Sequence, residues 1–136
     1  MILAERLQIL ADPYAQDRWE PLYDELEQIP PLSESELSLV MQTIKTELRC
    51  EYALVRLFCL DLLAANRIPV SRILDELRFV IENGNDAERS VAFQMLRKSS
   101  VDAPLVVRAL ESIDAGRLAF FARWELRRVI KKKRQG

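Results

Sequence analysis

An all-α protein is what this chain of 136 residues predicts, from three observations. First, 12 of the 15 residues from Glu51 to Ala65 are apolar, broken only by Glu51, Arg56 and Asp61, with no Gly or Pro among them. Such a density of good helix formers reads as a helix. Its three charges fall at about 0°, 140° and 280° around the axis, so it needs neighbours on most sides. Second, the chain has only three glycines, with 49% hydrophobic and 30% charged residues, whereas a sheet protein needs more turn residues and more Val, Ile and Thr. Third, apolar residues on either side of the central stretch recur three and four apart between capping residues and prolines, which is helical periodicity. The length suits one domain, 1–136, able to bury its own core.

In order, Ile2, Leu3, Leu7, Ile9 and Leu10 mark a first helix over 2–11, ended by Asp12-Pro13 because the residue before proline leaves the α region. Asp17 is the expected cap of a second helix running to about Ile29, with Trp19, Leu22, Tyr23 and Leu26 inward. Pro21 moves its start toward Trp19 or Glu20, since proline is tolerated in a first turn. Pro30-Pro31 breaks the chain. Ser33 and Glu36 then form a capping box that opens a helix to about Glu47, with Leu37, Val40, Met41, Ile44 and Leu48 on one face.

After the 51–66 helix, Ser71 is the expected cap of a helix through Ile73, Leu74, Leu77, Val80 and Ile81, closed by Asn83-Gly84 with Gly84 left-handed. Asn85-Asp86 caps a helix over 87–98 with Val91, Ala92, Met95 and Leu96 inward. Asp102 caps the next, with Pro104 in its first turn and Leu105, Val106, Ala109, Leu110 and Ile113 on its apolar side. Asp114-Ala115-Gly116 turns into a last helix from Arg117 toward Lys133, which frays into a basic tail over 131–136.

Eight helices with short loops make four antiparallel pairs, and the caps at Ser33, Ser71 and Asp102 recur at intervals of 38 and 31 residues. The segment Arg56 to Leu63 also aligns without gaps on Arg89 to Leu96, at an offset of 33. At Arg56, Cys59 and Leu63, and again at Arg89, Ala92 and Leu96, the sequence resembles the HEAT and armadillo-like helical repeats. The second helix of those repeats often carries an arginine near its start, a small residue three positions on and a leucine near its end. The resemblance spans roughly residues 33–130 and implies a short right-handed HEAT-like solenoid that presents an extended surface to a protein. An irregular helical bundle is the alternative architecture. Arg56 is then expected to bond a neighbouring loop carbonyl or carboxylate, and Asp61 to meet Arg97 or Arg89, because charges on a buried helix need partners.

The chain has no histidine, which removes the commonest general acid-base group and metal ligand. The cysteines match no zinc spacing, and no glycine-rich phosphate loop or nucleophile elbow occurs. The adjacent pair Asp75-Glu76 reads as solvated surface, since neighbours on a helix do not face each other. The expectation is therefore a non-enzyme with no cofactor and no metal. Cys50 and Cys59, if on one helix, are about 13 Å apart along it and cannot pair. Reduced thiols, the absence of a basic leader in residues 1–11 and a central stretch too short to span a bilayer point to the cytoplasm, with no membrane partner.

Charge is strongly polarised. Residues 1–51 carry 11 acids against 4 bases, and residues 117–136 carry 1 acid against 8 bases. On the last helix Leu118, Ala119, Ala122, Leu126, Val129 and Ile130 form a core stripe, while Phe120 and Trp124 fall away from it beside Arg123, Arg127 and Arg128. Aromatics with arginine are the composition of interface hot spots. The expected function is a non-enzymatic protein-binding module. Small, helical and acidic on one half, the chain also looks like a bacterial immunity protein, which occludes a cognate toxin. Asp17, Glu20, Asp24, Glu27 and Glu36 would then meet a basic toxin surface. The alternatives are a nucleic-acid binder using Lys131, Lys132, Lys133 and Arg134, against which the acidic half argues, and a self-assembling scaffold.

Overall fold

Residues 1–99 and 103–135 are described in the structure, a computed structural model, and among them the chain forms eight α-helices and no strand. The expected cap Asp102 and the terminal Gly136 lie outside the described residues. The contacts divide the chain into two units, Met1–Arg67 and Ile68–Gly136.

The first unit holds α1 (Leu3–Ala11), α2 (Gln16–Asp24), α3 (Glu34–Ile44) and α4 (Val55–Ala65). Helix α4 is the buried one. Seven of its eleven residues are buried, among them Phe58, Cys59, Leu60 and Leu63, and it packs against α1, α3 and the 3-10 turn Leu26–Gln28. Tyr23 meets Phe58 edge-on, with ring centroids 5.5 Å apart, a favoured aromatic arrangement.

Several boundaries differ from expectation for local reasons. Asp12 accepts from the Tyr14 amide and starts a 3-10 turn, Pro13–Ala15, that runs directly into α2. Asp17 therefore lies in the first turn of α2 and does not cap it, and Pro21 is interior. Proline removes one intrahelical bond, and α2 ends at Asp24, not near Ile29. Helix α3 has the expected capping box, Ser33 and Glu36 each accepting from the other's backbone amide, but it stops at Ile44, leaving Leu48 outside. The central helix starts at Val55 and not at Glu51, because residues 45–54 carry the chain from α3 to α4. Cys50 therefore precedes the helix that bears Cys59, and both are free thiols. Past the C-cap Asn66, Arg67 takes the left-handed conformation, φ 54°, the residue type and not the position being unusual for a helix end.

The second unit holds α5 (Leu74–Asn83), α6 (Asp86–Lys98), α7 (Ala103–Glu111) and α8 (Phe120–Arg134). Helix α5 packs on α6 and α7, and α8 packs on α6 and α7, around Leu77, Val80, Ile81, Phe93, Leu96, Val106, Leu110, Leu126 and Val129. Ser71 is not a cap. It sits in a 3-10 turn, Val70–Arg72, and α5 opens after Ile73 without a side-chain cap. Gly84 is extended (φ −76°, ψ 169°) and not left-handed, because Asn85 caps α6 immediately, in a capping box with Glu88. Glycine is required at 84 for space, since an added Cβ would lie 2.6 Å from the Val80 carbonyl oxygen. Pro104 occupies the first turn of α7 as expected. Residues 115–117 form a 3-10 turn, so the last helix begins at Phe120, and residues 131–134, expected as a frayed tail, are its final turn. Glu76, expected on the surface, is buried.

Candidate partner-binding faces

Arginines tie helix ends to the neighbouring helices. Arg56, 5% exposed, donates from Nε to the Ile44 carbonyl (2.8 Å) and from Nη2 to the Thr46 carbonyl (2.9 Å), serving orphan groups at the end of α3. Arg89, its counterpart at the offset of 33, donates to the Gly84 carbonyl just past α5 (2.5 Å). The first unit has a third such contact: Arg6 on α1 bonds the Leu22 carbonyl (3.0 Å) near the end of α2 and pairs with Glu25 (2.8 Å). Asp61, expected to meet Arg97 or Arg89, is met within its own unit. The Tyr23 hydroxyl donates to it, and partial burial raises the pKa of its carboxyl. Arg97 pairs with Glu125 (2.7 Å) and Arg89 with Asp86. Burial also pushes the Cys59 thiol well above its usual range, with Arg56 pulling the other way, so it is not an activated nucleophile.

The acidic face is built on α2. Trp19, whose Nε1 donates to the Ile9 carbonyl (2.8 Å), and Leu22 are buried and fix the helix against its unit. Asp17, Glu20 and Asp24, at i, i+3 and i+7, then share an outward arc of about 60° and all three are exposed. Glu27 is exposed on the following 3-10 turn. Glu36 is set apart from them: half-buried on α3, it accepts from the Ser33 amide at 3.0 Å as part of the capping box. Tyr14, 93% exposed just before α2, was not among the expected residues, and nothing in its spacing marks it.

The second face lies on α8. Leu118, Ala122, Leu126 and Val129 are buried; Ala119 is exposed and Ile130 half-buried, a stripe narrower than expected. Phe120 and Trp124 are 68% and 51% exposed, and Phe121 is 80% exposed with its ring 5.5 Å from that of Phe120. Phe121 was missed although on α8 it lies about 100° from Ala122, outside the core stripe. The Arg128 guanidinium lies over Trp124, 4.6 Å from the ring centre, a cation-π contact. Arg127 is exposed and Arg123 half-buried. The lone acid of α8, Glu125, is occupied by Arg97.

No family model, no curated protein and no solved structure matches this chain. Further along α8, Arg97, Arg128, Val129, Lys131, Lys132 and Gln135 line a groove of about 320 Å³ with no acid among the described residues of its wall. Lys133 donates to the Ser99 carbonyl, and burial, then Lys132, lowers the pKa of its ammonium. Among the described residues no group of three or more His, Cys, Asp or Glu side chains is placed to hold a metal ion, and no helix is long and apolar enough to cross a membrane.

Proposed function

We propose that this chain is a non-enzymatic, HEAT-like protein-binding module that docks a partner on the aromatic-arginine face of α8. The observation that carries the reading is the outward cluster Phe120, Phe121 and Trp124 with Arg123, Arg127 and Arg128 beside it. Three large aromatics held in water on one helix are costly surface, and desolvating them against a partner supplies the hot-spot energy of an interface. The repeat reading is supported by Arg56 and Arg89, which perform the same end-of-helix role one offset apart. It is supported also by packing within the second unit, where α5 lies on α7 and α6 on α8, as stacked antiparallel pairs require.

A photoreactive phenylalanine analogue at position 121, irradiated in cells, tests this face directly. One protein adduct from position 121, absent from the exposed control position Ser35, supports it; no adduct, or equal adducts from both positions, contradicts it. The inhibitor form of the reading adds the α2 face. Asp17, Glu20 and Asp24 stand exposed on one arc, suited to a basic toxin surface, where opposite charge speeds encounter.

A further inference from the structure

We propose that the chain also binds a second copy of itself head to tail, the acidic ridge of α2 on one copy seating in the basic groove beside α8 on the next. The two surfaces are chemically complementary. The ridge presents Asp17, Glu20 and Asp24, spaced i, i+3 and i+7 along about 10.5 Å of helix, with no base among the exposed residues of that arc. The groove is lined by Arg97, Arg128, Lys131 and Lys132; Arg128, Lys131 and Lys132 stand at i, i+3 and i+4 on the exposed side of α8. Arg97 is already paired with Glu125 and Arg128 lies over Trp124, and among the described residues no acid lines the groove to answer Lys131 and Lys132.

The charge of the whole chain follows the same division. Residues 1–67 hold 12 acids against 6 bases, net −6, and residues 68–136 hold 9 acids against 14 bases, net +5. A further copy of the chain carries the complement of each surface. A nucleic acid would answer only the groove, and would meet a chain whose other unit carries −6. Because the two faces differ, each contact leaves one ridge and one groove unused, and growth is open-ended unless the rotation closes a ring.

The inference rests on reading these faces as protein-binding, and it is tested separately by using only purified, nuclease-treated full-length protein in sedimentation velocity. At low salt the weight-average mass of the wild type rises with concentration above the 15.8 kDa monomer, and in about 0.5 M salt it returns to the monomer, the charges being screened. Glu20→Lys with Asp24→Lys makes both faces basic, and Lys131→Glu with Lys132→Glu makes the groove face acidic; each double variant alone stays monomeric. An equimolar mixture of the two recovers association, because an intact groove again faces an intact ridge, and this recovery shows that both variants are folded. A wild type that remains monomeric at low salt, either variant assembling like the wild type, or a mixture without recovery would each overturn the proposal. Failure here leaves crosslinking at position 121 unaffected, and failure of that crosslinking leaves the mixing result to stand.

Discussion

Arg56 on α4 and Ile44 at the end of α3 are joined by a 2.8 Å hydrogen bond in which a 5%-exposed guanidinium serves a helix-end carbonyl. The same side chain reaches Thr46 two residues on. One arginine therefore fixes both where α3 stops and how the connection to α4 begins. Truncation to Ala leaves the buried Ile44 carbonyl without this donor and opens a cavity in the most buried helix, and is expected to cost about 3 kcal/mol. Arg56→Lys recovers little of this, lacking the planar fork. Urea denaturation checks it: a lower midpoint with an unchanged slope is expected, and a change within about 0.5 kcal/mol would remove Arg56 from this role.

Gly84 and Arg67 make opposite predictions. At Gly84 an added methyl meets backbone, the Val80 carbonyl oxygen at 2.6 Å, so Gly84→Ala forces a shift between α5 and α6 and is expected to destabilise by about 1–3 kcal/mol. At Arg67, with φ 54°, glycine relieves a conformation that L side chains resist, and Arg67→Gly is expected to stabilise by up to about 1 kcal/mol. Equal signs for the two substitutions in thermal melts would contradict the backbone assignment.

Much of the fold was legible because it rests on short-range chemistry. The Ser33–Glu36 and Asn85–Glu88 boxes and the buried stretch now seen as α4 follow from residue type and spacing alone. Helix ends set by distant partners or by the preceding turn were not. The expected bond from Arg56 to a nearby loop carbonyl is there, at Thr46, but nothing local says that the same side chain also takes the Ile44 carbonyl at the end of α3, or that Pro13 begins a turn that makes an Asp17 cap unnecessary. The exposure of Phe120 and Trp124 could be read from the helical wheel, and Phe121 could have been added by the same test. The partner of Asp61 could not, because Tyr23 reaches it across 38 residues of sequence.

Asp61 makes stability depend on pH in a stated direction. Burial raises its folded-state pKa above the ordinary aspartate value, so between those two values the folded chain holds more protons than the unfolded one. Its contribution is then favourable at low pH and is lost as pH rises through the raised value. Asp61→Asn keeps an acceptor for the Tyr23 hydroxyl without the charge. The variant is expected to be more stable than wild type at pH 7, with the difference vanishing below about pH 4. Chemical denaturation across that range decides it, and a gain that persists unchanged in acid would contradict this assignment.

The cysteines should label unequally. Cys50 is half-buried, while Cys59 is fully buried with its thiol held protonated. One alkylation is expected under native conditions and two in denaturant, counted by intact mass; rapid double labelling of the folded chain would mean that α4 is not the buried helix.

Binding through the α8 face is tested most directly by affinity capture from nuclease-treated lysate of the cell that makes the protein, with wild type and Trp124→Ala run side by side. Trp124 is half-exposed and packs only at the surface, so its removal should change stability by no more than about 0.5 kcal/mol. As a hot spot it is expected to cost at least about 2 kcal/mol of binding, roughly 30-fold in affinity. The expected result is one protein recovered near stoichiometrically by wild type and lost with the variant. Equal recovery by both, or no protein besides the bait, would contradict docking on α8.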